Sequence, residues 1–326
     1  MPSFPPFSAL PLKKDGPPHN AWGLYSDAEG DGEDELGRLN LISPQSVKRG
    51  KETITEGLVI NLNLPLSFPP LHPRREHLQH EIKCSGHSND DVVRFNTQSS
   101  TQWDGFRHYP YQDWPGKGEY TFYGGMSIEE ASDSSVKKYG AQNYAKRPIT
   151  SRAHLLDIPL YLSTHSLPPL DPFSSSQPIP LSTLKACAED SQITFAEGDI
   201  LLVNTGFIGA LEGLSDEERE GLKKREKNES VGVEANEEVW AWHWDNGIAA
   251  VASDCPSYES WPAPDGQLSC HQVFLAGFGL PIGELFDLRE LAEQCKRLNR
   301  WTFFFASCGL YVDGGIATPP NAQAIL

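Results

Sequence analysis

The sequence predicts a single domain of α/β class. Short β-rich apolar runs alternate with a few helical patterns, and no shift in composition divides the 326 residues. A chain of this length can bury a sizeable core. In chain order, residues 54–64 read as the first strand. Residues 92–103 read as the second, because Val92, Val93, Phe95 and a Ser/Thr run favour extended backbone. Residues 153–158, 200–204, 248–252 and 302–305 are compact apolar runs that also read as strands. Helical spacing appears at 181–189, 237–245 and 288–298, with Asp287 as the N-cap of the last. Residues 1–50 read as an irregular arm containing Pro, Gly and the acidic run from Asp27 to Glu35. Residues 51–326 carry the domain proper. Within it, the Pro-rich stretches 64–73 and 168–180 read as surface loops, and the charged segment 214–238 as solvated helix and loop.

Lys and Arg number 27 against 44 Asp and Glu, a formal net charge of −17. That balance argues against nucleic acid and anionic membrane surfaces as partners, since both require a positive footprint. Nothing in the chain approaches the ~20 apolar residues of a membrane span. The opening Met1-Pro2-Ser3-Phe4-Pro5-Pro6 lacks the pattern of a signal peptide. Six cysteines, at 84, 187, 255, 270, 295 and 308, show no C-x-x-C spacing. Reduced thiols and a cytoplasmic location are therefore expected. Cys270, beside His271, reads as a buried inert thiol because nothing identifies an activating base for it.

The stretch Gln98-Ser99-Ser100-Thr101-Gln102-Trp103-Asp104-Gly105-Phe106-Arg107-His108 concentrates the polar groups. On an extended segment, Gln98, Ser100, Gln102 and Asp104 would share one face and Trp103 the other, with Gly105 releasing the chain toward His108. Unpaired buried polar groups cost about 1–3 kcal/mol each, so such a face is expensive unless it is solvated or used. Spacing alone leaves both readings open.

The stretch resembles the signature H-x-G-T-H-x-D-x-P-x-H of the metal-dependent cyclase family, which includes bacterial-type kynurenine formamidase and isatin hydrolase. Aligned on Asp104, Gln98 and Gln102 stand where the signature has histidines. Thr101 takes the place of its threonine, Phe106 of its proline and His108 of its last histidine. Three further segments resemble the family. Ser151-Arg152-Ala153-His154-Leu155-Leu156-Asp157 matches its R-G-V-L-L-D strand. Gly198-Asp199-Ile200-Leu201-Leu202-Val203-Asn204-Thr205-Gly206 matches its G-D-I-L-L-x-x-T-G element. His271 and Glu284 match its late H…E pair. The similarity runs from about Asn61 to the C-terminus, and the S-T-Q-W-D-G form resembles the fungal branch.

The resemblance implies a swivelling β/β/α fold around a barrel-like mixed sheet flanked by helices, assembled as a homodimer or higher homo-oligomer. It implies a divalent metal (Zn, Mn or Mg) held by Asp104, His271 and Glu284, with His108 and Glu284 as the acid–base pair. Gln98 and Gln102 replace imidazoles, and a neutral amide oxygen suits harder ions better than zinc. Three states of the site stay open: one metal on Asp104, His271 and Glu284, a harder metal that also uses the glutamine oxygens, or no metal. In the last case the glutamines would donate hydrogen bonds to a carbonyl or enolate. Gln98, Gln102, Trp103 and Phe106 are expected to bind a small-molecule substrate. The implied activity is hydrolysis of an amide, lactone or related carbonyl. The alternatives are a cyclase, dehydratase or isomerase of a small secondary metabolite, and a non-catalytic ligand-binding relative.

Other candidates read more simply. His87 lies on a polar loop and is expected at the surface. His243 is expected to pack among Trp240, Trp242 and Trp244. His72, His77 and His80 carry no ligand spacing.

Overall fold

The computed structural model describes residues 4–26, 34–264 and 266–326; of the acidic run, Asp34 and Glu35 are described and the remainder lies outside. The strands among the described residues are β1 (Val59–Asn61), β2 (Gln79–Cys84), β3 (Asn89–Arg94), β4 (Gln102–Asp104), β5 (Tyr111–Gln112), β6 (Tyr120–Thr121) and β7 (Ile149–Asp157). They continue as β8 (Ile200–Asn204), β9 (Ala250–Ser253), β10 (Ile282–Glu284), β11 (Thr302–Ser307), β12 (Ala317–Thr318) and β13 (Gln323–Ile325). Nine of them form one sheet in the order β1-β13-β11-β7-β8-β9-β10-β4-β12, curled into a half-barrel and flanked by helices.

The run β7-β8-β9-β10 is parallel, and the strands on either side of it pair antiparallel. Parallel strands are covered on both faces, which is why β8 is an unbroken apolar run. Its alternation divides two cores. Ile200 and Leu202 pack with Phe303 and Phe305 on one face, while Leu201 and Val203 pack with Leu184 and Trp244 on the other. The helices Leu181–Asp190 and Glu237–Asp245 that build the second face lie where the periodicity places them. The helix predicted at 288–298 begins at Arg289, and its N-cap is Leu288 rather than Asp287. Asp287 is drawn instead onto the Arg289 guanidinium, accepting from Nε at 2.8 Å.

Two predicted strands come out differently. Only Val59–Asn61 of residues 54–64 pairs in the sheet. Residues 92–103 are not one strand. Val92 and Val93 close the exposed β2–β3 hairpin, the chain then turns, and pairing resumes at Gln102. The turn is fixed by Asn96, whose carbonyl accepts from Ser99 N at 3.0 Å and whose Oδ1 accepts from Gln98 N at 2.9 Å. Short polar side chains of this kind compete with ladder pairing. The opening segment contributes to the core through Ala21, Leu39 and Leu41, and its Arg38 guanidinium is fully buried over Trp244. No helix among the described residues is long and apolar enough to cross a membrane.

His243 is wholly buried: Nδ1 donates to the Val239 carbonyl at 2.7 Å and Nε2 accepts from the Tyr258 hydroxyl at 2.8 Å. Burial lowers its pKa to about 4, with the Arg38 charge acting in the same direction. Below the ordinary histidine pKa the unfolded chain takes a proton that the folded chain refuses, so stability falls as pH drops from about 6.5 toward 4. The expected loss at this site is about 2–3 kcal/mol by pH 4.5. Urea midpoints at pH 7.5 and 4.5 should therefore differ less in His243→Gln than in the parent chain. An identical difference would show that His243 is not responsible.

Candidate active site

The site forms where β4 pairs with β10, which sets Gln102 opposite Glu284 and Asp104 opposite Ile282. Period 2 along β4 puts Gln102 and Asp104 on one face. Trp103 points away into the core, its Nε1 donating to Ser307 Oγ at 2.9 Å. Thr101 anchors the approach by accepting from Leu64 N and donating to the Leu285 carbonyl. Gln98 enters from the turn rather than from the strand. His108 follows a tight turn closed by its own N–H on the Gly105 carbonyl. His271 opens the π-helix His271–Phe278, packed behind the sheet.

Two pairs of groups far apart in sequence, Asp104 with His108 and His271 with Glu284, meet here. Asp104 Oδ2 lies 3.7 Å from His108 Nε2 and 3.6 Å from His271 Nε2, too long for hydrogen bonds. His271 Nε2 is 3.0 Å from Glu284 Oε1. The side chains of Asp104, His271 and Glu284 are almost fully enclosed, while that of His108 is 22% exposed, so the cleft opens at His108. The glutamines tie the carboxylates together. Gln98 Nε2 donates to Asp104 Oδ1, and Gln102 Nε2 donates to Gln98 Oε1 at 3.2 Å and to Glu284 Oε2 at 2.5 Å. Asp104 Oδ2 and Gln102 Oε1 remain buried without a hydrogen-bond partner.

Burial drives the electrostatics. It pushes the Glu284 carboxyl up to about 7, and the neighbouring Asp104 charge adds to the effect. It also lowers His108, against the pull of Asp104, so this imidazole is neutral near pH 7. On Asp104 burial is outweighed by His108 and His271, which hold the carboxyl below its usual range. On His271 burial is overcome chiefly by Glu259, and the imidazole is held well above its usual range.

Glu259 is the member of the cluster that the sequence reading missed. It is fully buried, both of its oxygens lie 2.9 Å from His271 Nδ1, and Oε1 also accepts from His271 N at 3.0 Å. A ring so held presents Nε2 to Asp104 and Glu284. Each ring nitrogen thus faces a carboxylate, which requires a doubly protonated ring or a proton on Glu284. Gly232 lets its segment run against the Glu259 backbone, because a Cβ there would sit 2.2 Å from the Glu259 carbonyl carbon. Only an isolated carboxylate between Tyr258 and Ser260 marked the position in the sequence.

The structure brings Gln98, Gln102, Asp104, His108, His271 and Glu284 together. Trp103 is fully enclosed against Phe286 and Phe305, and Phe106 is buried against Tyr123 and Tyr144. Neither ring is among the groups that meet at Asp104. His87 is exposed, and Cys270 is fully buried with its thiol pKa raised by burial. A divalent ion fits the donor set. Ligand atoms of Asp104, His108 and His271 lie within 4.8 Å of one another, and the unpartnered Asp104 Oδ2 is the kind of buried acceptor a cation satisfies.

A family profile described as "Putative cyclase" matches residues 47–260. Among solved structures, one described as a novel cyclase is 24% identical with a TM-score of 0.80, covering 94% of this chain and 99% of its own. Isatin hydrolase A from Ralstonia solanacearum is 15% identical with a TM-score of 0.54, covering 86% of this chain and 94% of its own. An isatin hydrolase bound to the product analogue thioisatinate is 12% identical with a TM-score of 0.52, covering 87% of this chain and 99% of its own. The comparison with curated proteins finds no match.

Proposed function

Because the chain belongs to the cyclase family, we propose that it hydrolyses the amide, lactone or related carbonyl of a small molecule at the Asp104–His108–His271–Glu284 cluster. The observation that carries this reading is the buried, unpartnered Asp104 Oδ2, flanked by His271 and by the partly exposed His108. Asp104 and His271 would hold a divalent cation, with His108 and Glu284 beside them. Such an ion would supply Lewis-acid polarisation of the substrate carbonyl.

The chain's own groups do the rest. His108, neutral and at the mouth, takes a proton from the attacking water as its oxygen bonds to the acyl carbon. It returns that proton to the leaving nitrogen or oxygen as the acyl bond breaks. Gln98 and Gln102 orient the two carboxylates through their amide N–H groups. The enclosing walls keep bulk water from competing for these contacts.

Metal analysis tests the reading. The purified protein should contain a divalent metal, lose turnover of acyl substrates on chelation and regain it on refilling. In Gln98→His with Gln102→His, two imidazole donors replace neutral amides, and zinc content should rise. Turnover need not improve, since groups that orient the new rings are missing. Activity untouched by thorough chelation would remove the metal from the proposal. A double variant that gains no zinc would show that the glutamines do not mark a former metal position.

A further inference from the structure

We propose that the N-terminal arm is a working part of the active site, and that its Trp22 is the positioning residue that holds His271 against Asp104 and Glu284. The proposal deepens the hydrolytic reading and rests on its assignment of these residues to the site. It starts from the backbone that carries His271. π-Helices are rare, occur mostly as single turns and gather at functional sites; His271–Phe278 runs for eight residues, all of them buried. Like any helix it ends on carbonyls that have no partner in its own turns, and enclosed carbonyls are costly to leave unpaired. The arm supplies the donors. Trp22 Nε1 donates to the Ala276 carbonyl at 2.7 Å, and Ala21 N donates to the Gly277 carbonyl at 3.0 Å. At the opposite end His271 N donates to Glu259. His271 therefore rides on a helix fixed at both ends, by Glu259 at one and by the arm at the other.

Trp22 also joins this helix to the other half of the site. Its ring is buried in one apolar cluster with Phe106, Tyr123 and Met126. Phe106 stands midway along the chain between Asp104 and His108. One side chain thus has its ring in the cluster that anchors the Asp104–His108 turn and its N–H on the helix that begins at His271. The arm is itself tied down. Asn20, fully buried, donates from Nδ2 to the Lys13 and Pro17 carbonyls at 2.9 and 2.8 Å. The Tyr111 hydroxyl donates to the Pro18 carbonyl at 2.6 Å. A brace made this way sets the distance between the two halves without touching a substrate.

Imidazole ¹H–¹⁵N spectra of the metal-free full chain read the His271 ring directly. Trp22→Phe keeps an aromatic ring in the cluster and removes the N–H. Phe303→Leu is the comparison, because that ring is fully buried in the core on the other face of the sheet. In Trp22→Phe the His271 resonances should move or broaden. Metal affinity, read by chelator competition, should fall about tenfold, the low end of the loss when an outer support of a ligating histidine goes. Phe303→Leu should lower the thermal midpoint and leave the His271 resonances where they were. Tyr111→Phe, which releases the arm at Pro18 with Trp22 in place, should move the same resonances by less, and it carries the test if Trp22→Phe does not fold. Parental His271 resonances in the folded arm variant overturn the proposal, and so does an equal shift in Phe303→Leu. A chain that binds no divalent metal would count against the metal in the hydrolytic reading, whereas the imidazole spectra would still decide the role of Trp22.

Discussion

Replacing His108 with alanine lowers turnover about 10²–10⁴-fold, the usual loss of a positioned acid–base group, while the thermal midpoint stays near that of the parent chain. The separation of the two effects follows from geometry. His108 is the most exposed member of the cluster, and its contact with Asp104 at 3.7 Å is too long to contribute much to stability. Its neutral form near pH 7 has the lone pair that proton abstraction needs. Steady-state rates on any turned-over acyl compound, together with a thermal melt, check it. A folded variant with near-parental turnover would take His108 out of the mechanism.

The second large effect belongs to Glu259, a positioning residue. Glu259→Gln keeps the shape but removes the negative charge that holds the His271 ring. The expected result is a 10–100-fold loss of metal affinity, the range found when an outer partner of a ligating histidine is lost. Competition with a chromophoric chelator reads this directly and does not depend on activity. Glu259→Ala should be worse: it leaves His271 N–H groups unpaired in an enclosed site, at a cost of about 1–3 kcal/mol for each. Glu259→Asp should recover part of the affinity. If Glu259→Gln binds metal as tightly as the parent, the carboxylate serves packing alone.

The parallel centre of the sheet was legible in the sequence because burial on both faces writes a continuous apolar run, as in Ile200–Asn204. The helices Leu181–Asp190 and Glu237–Asp245 were legible through their one-sided spacing. Strand propensity misled at residues 92–103. Val92 and Val93 favour extended backbone in a solvent-exposed hairpin as readily as in a core, and propensity does not register the polar turn at Asn96 that separates them from β4. That turn brings Gln98 to Asp104, so the predicted face of alternate residues assembled by a different route. Ser100, expected on the same face, donates instead to the Pro65 carbonyl.

In the site, the residues with motif spacing, Asp104, His108, His271 and Glu284, were legible through resemblance. Glu259 was not. Its contact with His271 is long-range and leaves no local pattern in the chain. Trp103 shows the opposite error. An aromatic beside the site residues in sequence lies on the far side of the strand in space, where it fills the core.

The central claim is that this cluster adds water to a carbonyl. It is tested most directly by mass spectrometry of products formed in ¹⁸O-labelled water from a panel of aryl formamides, lactones and cyclic imides. The prediction is a ring-opened product heavier than its lactone or imide by one molecule of labelled water, or free arylamine with labelled formate from a formamide, with the label in the new carboxylate in each case, and no such products from His108→Ala. A product equal in mass to its substrate, one lighter by a molecule of water, or an unlabelled carboxylate would contradict it and show that the cluster isomerises, dehydrates or cyclises instead.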